Sequence, residues 1–110
     1  MVFSWNNWNV EHIARHGVMP EEAEHVVRHA RPPFPREADD DKLVVWGQTP
    51  EGRYLQVVFI HPADDEIDPE SLQLVDLIDY SEGSAEVVYV IHAMELDAKR
   101  KRQYRKLFRA

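Results

Sequence analysis

The twenty-two residues YVIHAMELDAKRKRQYRKLFRA, from Tyr89 to Ala110, constrain the fold more than any other part of the sequence. They open inside the apolar, β-branched run Val87 to Ala93, which reads as a strand, and pass through Asp97, a helix N-cap, into a strongly basic helix. Seven of the thirteen lysines and arginines lie in that helix: Lys99, Arg100, Lys101, Arg102, Arg105, Lys106 and Arg109. Tyr54 to Ala98 holds none, so residues 1–97 carry a net −14 and residues 98–110 a net +7 within a total of −7. Charge segregated this sharply predicts a basic surface with a function.

The length, 110 residues, predicts one domain with a real but small core. Overall acidity argues against nucleic-acid binding over the whole surface and leaves a local site open. With no cysteine there is no disulfide framework, no cysteine metal site and no thiol nucleophile, as suits a reducing cytoplasm. The opening MVFSWNNW lacks the basic and apolar regions of a signal peptide, and no apolar run approaches the length of a membrane span. The expectation is a soluble, cytoplasmic protein without a membrane partner.

Phe3 and Trp5 make a short apolar opening. Asn6 or Asn7 then caps a helix to about His16, with Trp8, Ile13 and His12 on its inner side, and Gly17 stops it. Met19-Pro20-Glu21-Glu22 starts a second helix, with proline in the first turn and acids at the positive end of the dipole, that buries Ala23, Val26 and Val27. Ala30 to Asp41 is proline-rich and then acidic, a surface loop. Leu43 to Trp46, the turn Gln48-Thr49-Pro50-Glu51-Gly52 and Arg53 to His61 form a hairpin. The acidic insertion at about 62–86 follows; within it, Asp68 to Tyr80 fits either a capped helix or a strand. The insertion is a solvated loop by default, or else a cover for the basic helix that mimics RNA. The order predicts an α+β fold: a small antiparallel sheet covered on one face, two N-terminal helices and a basic C-terminal helix.

Three stretches resemble BrnT-like type II toxins. They are Trp5-Asn6-x-x-Asn9-Val10-x-His12-Ile13-Ala14-Arg15-His16-Gly17-Val18 with Pro20-Glu21-Glu22-Ala23; Gly47-Gln48-Thr49 with Gly52-Arg53-Tyr54-Leu55; and Tyr89-Val90-Ile91-His92-Ala93-Met94 with Lys101-Arg102-Gln103-Tyr104. The resemblance implies a RelE-like fold and the toxin of a toxin-antitoxin system: a sequence-lenient endoribonuclease that halts translation. It also implies a small antitoxin partner, typically of the ribbon-helix-helix type, through which DNA is met only indirectly. Such ribonucleases need no metal or cofactor. A base activates the ribose 2′-hydroxyl, Arg or Lys stabilises the crowded phosphate, and an acid protonates the leaving oxygen.

Where the family's last strand usually ends in Ala-Arg, this one ends in Ala93-Met94, and Arg100 stands where the family's helix often has Glu. The candidate catalytic residues are therefore His92, on the same strand face as Met94, Arg100 as a relocated cation, Tyr104 at a matching position, and Lys42 at the start of the hairpin. At about 100° per residue, Tyr104, Leu107 and Phe108 share one side of the helix, with Arg100 nearest the strand. Lys99, Arg102, Arg105, Lys106 and Arg109 form an outer stripe that suits phosphate contact, a plain solvated face or an acidic partner. His12 with His16, and His25 with His29, have the i, i+4 spacing of zinc ligands but no third ligand in sequence, so no metal is assigned. Trp5, Trp8 and Trp46 read as packing residues, with base stacking open to Trp46 if it faces outward. Three functions remain: the ribonuclease toxin, a catalytically impaired module that binds antitoxin or RNA without cleaving it, and a DNA-associated subunit active only in complex.

Overall fold

A computed structural model of the chain describes residues 1–62 and 87–108. The question of helix or strand at Asp68 to Tyr80, the role of the acidic insertion and the place of Arg109 lie outside those residues. The elements are β1 Val2–Ser4, α1 Asn7–Ala14, α2 Pro20–Arg28, β2 Arg36–Glu37, a 3-10 turn at Asp39–Asp41, β3 Leu43–Gln48, β4 Tyr54–Ile60, β5 Val87–Glu95 and α3 Ala98–Leu107.

Local chemistry explains each helix. Asn6 caps α1 reciprocally: its side chain accepts from the Asn9 amide at 3.1 Å, while the Asn9 side chain accepts from the Asn6 amide at 2.7 Å. Asn9 is fully buried, and its amide group also donates to the Ser4 carbonyl at 3.0 Å, tying helix to strand. Gly17, at φ 71°, ends the helix with bonds from Gly17 to Ala14 and from Val18 to Ile13, the αL exit that glycine makes without strain. In α2, Pro20 sits in the first turn and Glu22 accepts from the Met19 amide at 3.0 Å. Asp97 caps α3 through the Arg100 amide at 2.8 Å.

Among the described residues five strands run in the order β1-β5-β4-β3-β2. The α+β class stands, but the sheet is mixed rather than antiparallel, because β1 pairs parallel with β5. Three residues are too few to show an alternating pattern, and their partner lies more than eighty positions away. The loop at 30–41 also holds a two-residue edge strand, and Phe34 within it is buried.

Residues directly opposite in an antiparallel pair share a face. One face of the hairpin is thus Val45 with Val57 and Gly47 with Leu55, all buried beneath α2 together with Ala23, Val26 and Val27. The other face carries Trp46 with Gln56 and Val44 with Val58. Here α3 packs, Tyr104 meeting Tyr54 with ring centroids 5.7 Å apart, so the sheet is covered in part on both faces rather than on one. Arg53 closes the turn side, donating to the Gly17 carbonyl at 3.0 Å and pairing with Glu22 at 2.7 Å and Glu95 at 2.9 Å.

A Cβ at Gly47 would stand 3.0 Å from Val26 Cγ1. Val26 is buried and stiff at χ1, so α2 must move to make room. Gly47→Ala is expected to cost about 1–2 kcal/mol in a denaturant titration; unchanged stability would show that α2 rides less tightly on β3.

Candidate functional site

The site is built on an irregularity in β5. Its pairing with β4 runs Val57 with Ala93 and Val58 with His92, then skips to Phe59 with Val90, leaving Ile91 as an extra residue. Such a bulge shifts the side-chain alternation by one. Val88, Val90 and Ala93 therefore all face the core despite their mixed spacing, and Tyr89, His92 and Met94 fall together on the opposite face.

Helix α1 lies along β5. Its residues Trp8 and His12, with His16 from the turn that follows the helix, line up beside Tyr89 and His92. The Trp8 ring stacks on His12 at 4.9 Å and 6°, and lies 6.4 Å from Tyr89 at 16°. The His92 ring is 5.7 Å from His12 and 4.9 Å from His16. Tyr89 is steadied by Asn6, whose side-chain amide donates to the phenol oxygen at 3.1 Å. Trp8 was expected inside and is instead 55% exposed; Asn9 and Ile13 take the inner positions. The His92 imidazole is held below its ordinary value near 6.5, first by burial and then by the neighbouring His16 and His12, so its neutral form is favoured. A neutral imidazole on a half-open face can accept a proton.

Beyond His92 the strand reaches Met94, which with Gln56, Leu96 and Arg100 lines a cavity of about 130 Å³ at the strand-helix junction. Arg100 thus reaches the strand end, as its helical position predicts. Its guanidinium also pairs with Asp97 at 2.7 Å. The Asp97 carboxyl is kept below the usual carboxylate range, first by the Arg100 backbone amide and then by that cation.

Tyr104 lies on the inner side of α3, between Tyr54 and Phe108, and burial pushes its phenol up. It stays protonated at neutral pH and is a packing residue with a donor. Lys99, Arg102 and Lys106 are exposed as expected of an outer stripe. Arg105 is exposed with them and also sets its guanidinium 5.3 Å over the Tyr54 ring, and Lys101, half-buried, lies 6.0 Å over the same ring. Leu107, expected inside, is 43% exposed; Lys101, Tyr104 and Phe108 form the inner stripe instead.

Lys42 is not part of this group. It precedes the β3 end that pairs with Phe59 and shares a cavity of about 340 Å³ with Glu37, Asp41 and His61, whereas Arg100 sits by Leu96, at the other end of β4. His25 and His29 stack on each other at 4.1 Å, away from His92. Among the described residues no group of three histidines or carboxylates is arranged to hold a metal ion, and no helix is long and apolar enough to cross a membrane. Comparison with known proteins finds no matching family model, no matching curated protein and no matching solved structure.

His92 lies on the face of Met94, and Arg100 at the strand end, where strand alternation and helix periodicity put them, but neither shows the company His92 keeps. The signal for Trp8, His12 and His16 was present as i, i+4, i+8 spacing; their meeting with β5 was not.

Because His92 holds its proton less tightly when folded, the unfolded chain binds more protons between the two values, and stability falls as pH drops through the unfolded value near 6.5. The midpoint of thermal unfolding is expected to fall between about pH 7.5 and 5.5, with a shallower slope in His92→Gln. Equal slopes would remove His92 from the groups that make the protein acid-sensitive.

Proposed function

We propose that the chain is a BrnT-like toxin with a RelE-like fold, a metal-independent endoribonuclease that acts on RNA in the cytoplasm and is restrained by a small antitoxin. One observation carries the reading. The sheet face that receives the basic helix also presents a proton acceptor, His92, two residues along β5 from Met94, which lines a pocket with Arg100.

In this reading, His92 takes the proton of a ribose 2′-hydroxyl, and the 2′-oxygen attacks the adjacent phosphorus. Arg100 stabilises the charge on the phosphoryl oxygens, and the departing 5′-oxygen receives a proton from a solvent water, which His92 then re-protonates as it returns to its neutral form. The products are a 2′,3′-cyclic phosphate and a 5′-hydroxyl, with every proton accounted for. Lys99, Arg102 and Lys106 offer charges for flanking phosphates.

A second reading, an interaction module that binds RNA or antitoxin without cleaving, is favoured by two facts. Met94 cannot pair with phosphate where the resembled family has arginine, and the Arg100 guanidinium is already paired with Asp97 at 2.7 Å.

Purified protein with a long RNA in EDTA, and induction of the gene with and without its neighbour, separate the two. Cleavage and growth arrest are expected, with His92→Ala and Arg100→Ala each slowing cleavage by about a hundredfold or more. Full activity in both variants refutes this site. RNA binding without cleavage by the unaltered protein establishes the second reading.

A further inference from the structure

We infer that Trp8 is the platform on which an unpaired base of single-stranded RNA stacks, seating the adjacent ribose over His92. The inference rests on the RNA-directed reading above and adds to it a binding subsite that neither the basic helix nor the strand-helix junction provides.

Trp8 is unusual for a tryptophan in a small domain. It is 55% exposed at the second residue of a capped helix, while Trp5 donates to Glu24 at 2.7 Å and Trp46 donates to Gln56 at 2.9 Å, each tied into the fold. The exposed ring is nevertheless held: His12 lies flat against it at 4.9 Å and 6°, and Tyr89 stacks with it at 6.4 Å and 16°. An exposed aromatic whose orientation is fixed by such neighbours has already met the ordering cost that a free side chain meets on binding. Stacking needs such a face and is tolerant of sequence, since every base has one.

What lies next to the ring decides the ligand. His12, under Trp8, is 5.7 Å from His92, which in turn leads along β5 to Met94 and the Arg100 pocket. The path from Trp8 to Arg100 follows one sheet face, the one on which the basic helix docks, so an aromatic anchor stands at one end and positive charge at the other. That pairing of a π-face with a cationic track is the recognition chemistry of single strands. A duplex keeps its bases stacked on each other and has none to give to Trp8.

The test compares three probes of about eight nucleotides, a length within the site size of single-strand binders: a single-stranded RNA, the same ribose-phosphate chain without bases, and a blunt RNA duplex. The unaltered protein is expected to bind the single strand about tenfold tighter than the other two. Trp8→Ala is expected to lower affinity for the single strand to that for the abasic chain, and Trp8→Phe to keep most of the preference. Exchange of Lys99, Arg102 and Lys106 for Gln should weaken all three probes together. A single strand bound equally well by Trp8→Ala overturns the platform and leaves the RNA reading intact. Failure of the unaltered protein to bind any RNA overturns both.

Discussion

Strand β5 is bonded to β4 along most of its length but to β1 only over Val87, Val88 and Tyr89. From Val90 onward its second edge has no strand partner among the described residues, and α1 lies there instead. An edge left by a three-residue neighbour is a liability unless something covers it, and the helix that follows β1 directly is placed to do so. The rest of the site follows from that arrangement. The inner side of α1, with Asn9 and Ile13, turns to the core, and its flank, with Trp8 and His12, comes beside the strand together with His16 from the turn after it. The bond from Asn9 to the Ser4 carbonyl fixes the angle at which this happens.

The bulge at Ile91 completes the construction. A regular strand would place Tyr89 and His92 on opposite faces. With one extra residue, the core keeps Val90 and Ala93, while Tyr89, His92 and Met94 share the other face and form a single strip from the Trp8 stack to the Arg100 pocket. Continuity along β5 is what joins the aromatic end and the basic end of this strip. The hairpin contributes the floor, through Gln56 and Val58, and Arg53 holds the end of β5 against the α1–α2 turn.

Much of the fold was legible because its signals are local. The Asn6 and Asp97 caps, Pro20 in the first turn of α2, Gly17 as the α1 stop and the burial of Ala23, Val26 and Val27 each depend on residues within a turn or two. The same holds for the hairpin, where turn residues and alternation agree. Helix periodicity also put Arg100 near the strand end. It misjudged Leu107, because which side of α3 faces the sheet is decided by Tyr54 accepting Tyr104, Lys101 and Arg105, a contact that no period reveals. Trp8 was misjudged for the opposite reason: its hydrophobicity suggested burial, but α1 meets the sheet through the buried, hydrogen-bonded Asn9.

By itself, then, the amino-acid sequence determined the helices, the hairpin, the α+β class and the separation of positive charge onto the last helix, all matters of short-range geometry and composition. Only the tertiary structure decided that β1 pairs with β5, that β5 carries a bulge, and that three histidines from two distant segments share one face with an exposed tryptophan. Strand pairing and register are set by which long-range contacts bury the most apolar surface and leave the fewest backbone groups unbonded. That competition is settled between residues far apart in the chain, and a single extra residue in one strand is enough to choose which side chains meet.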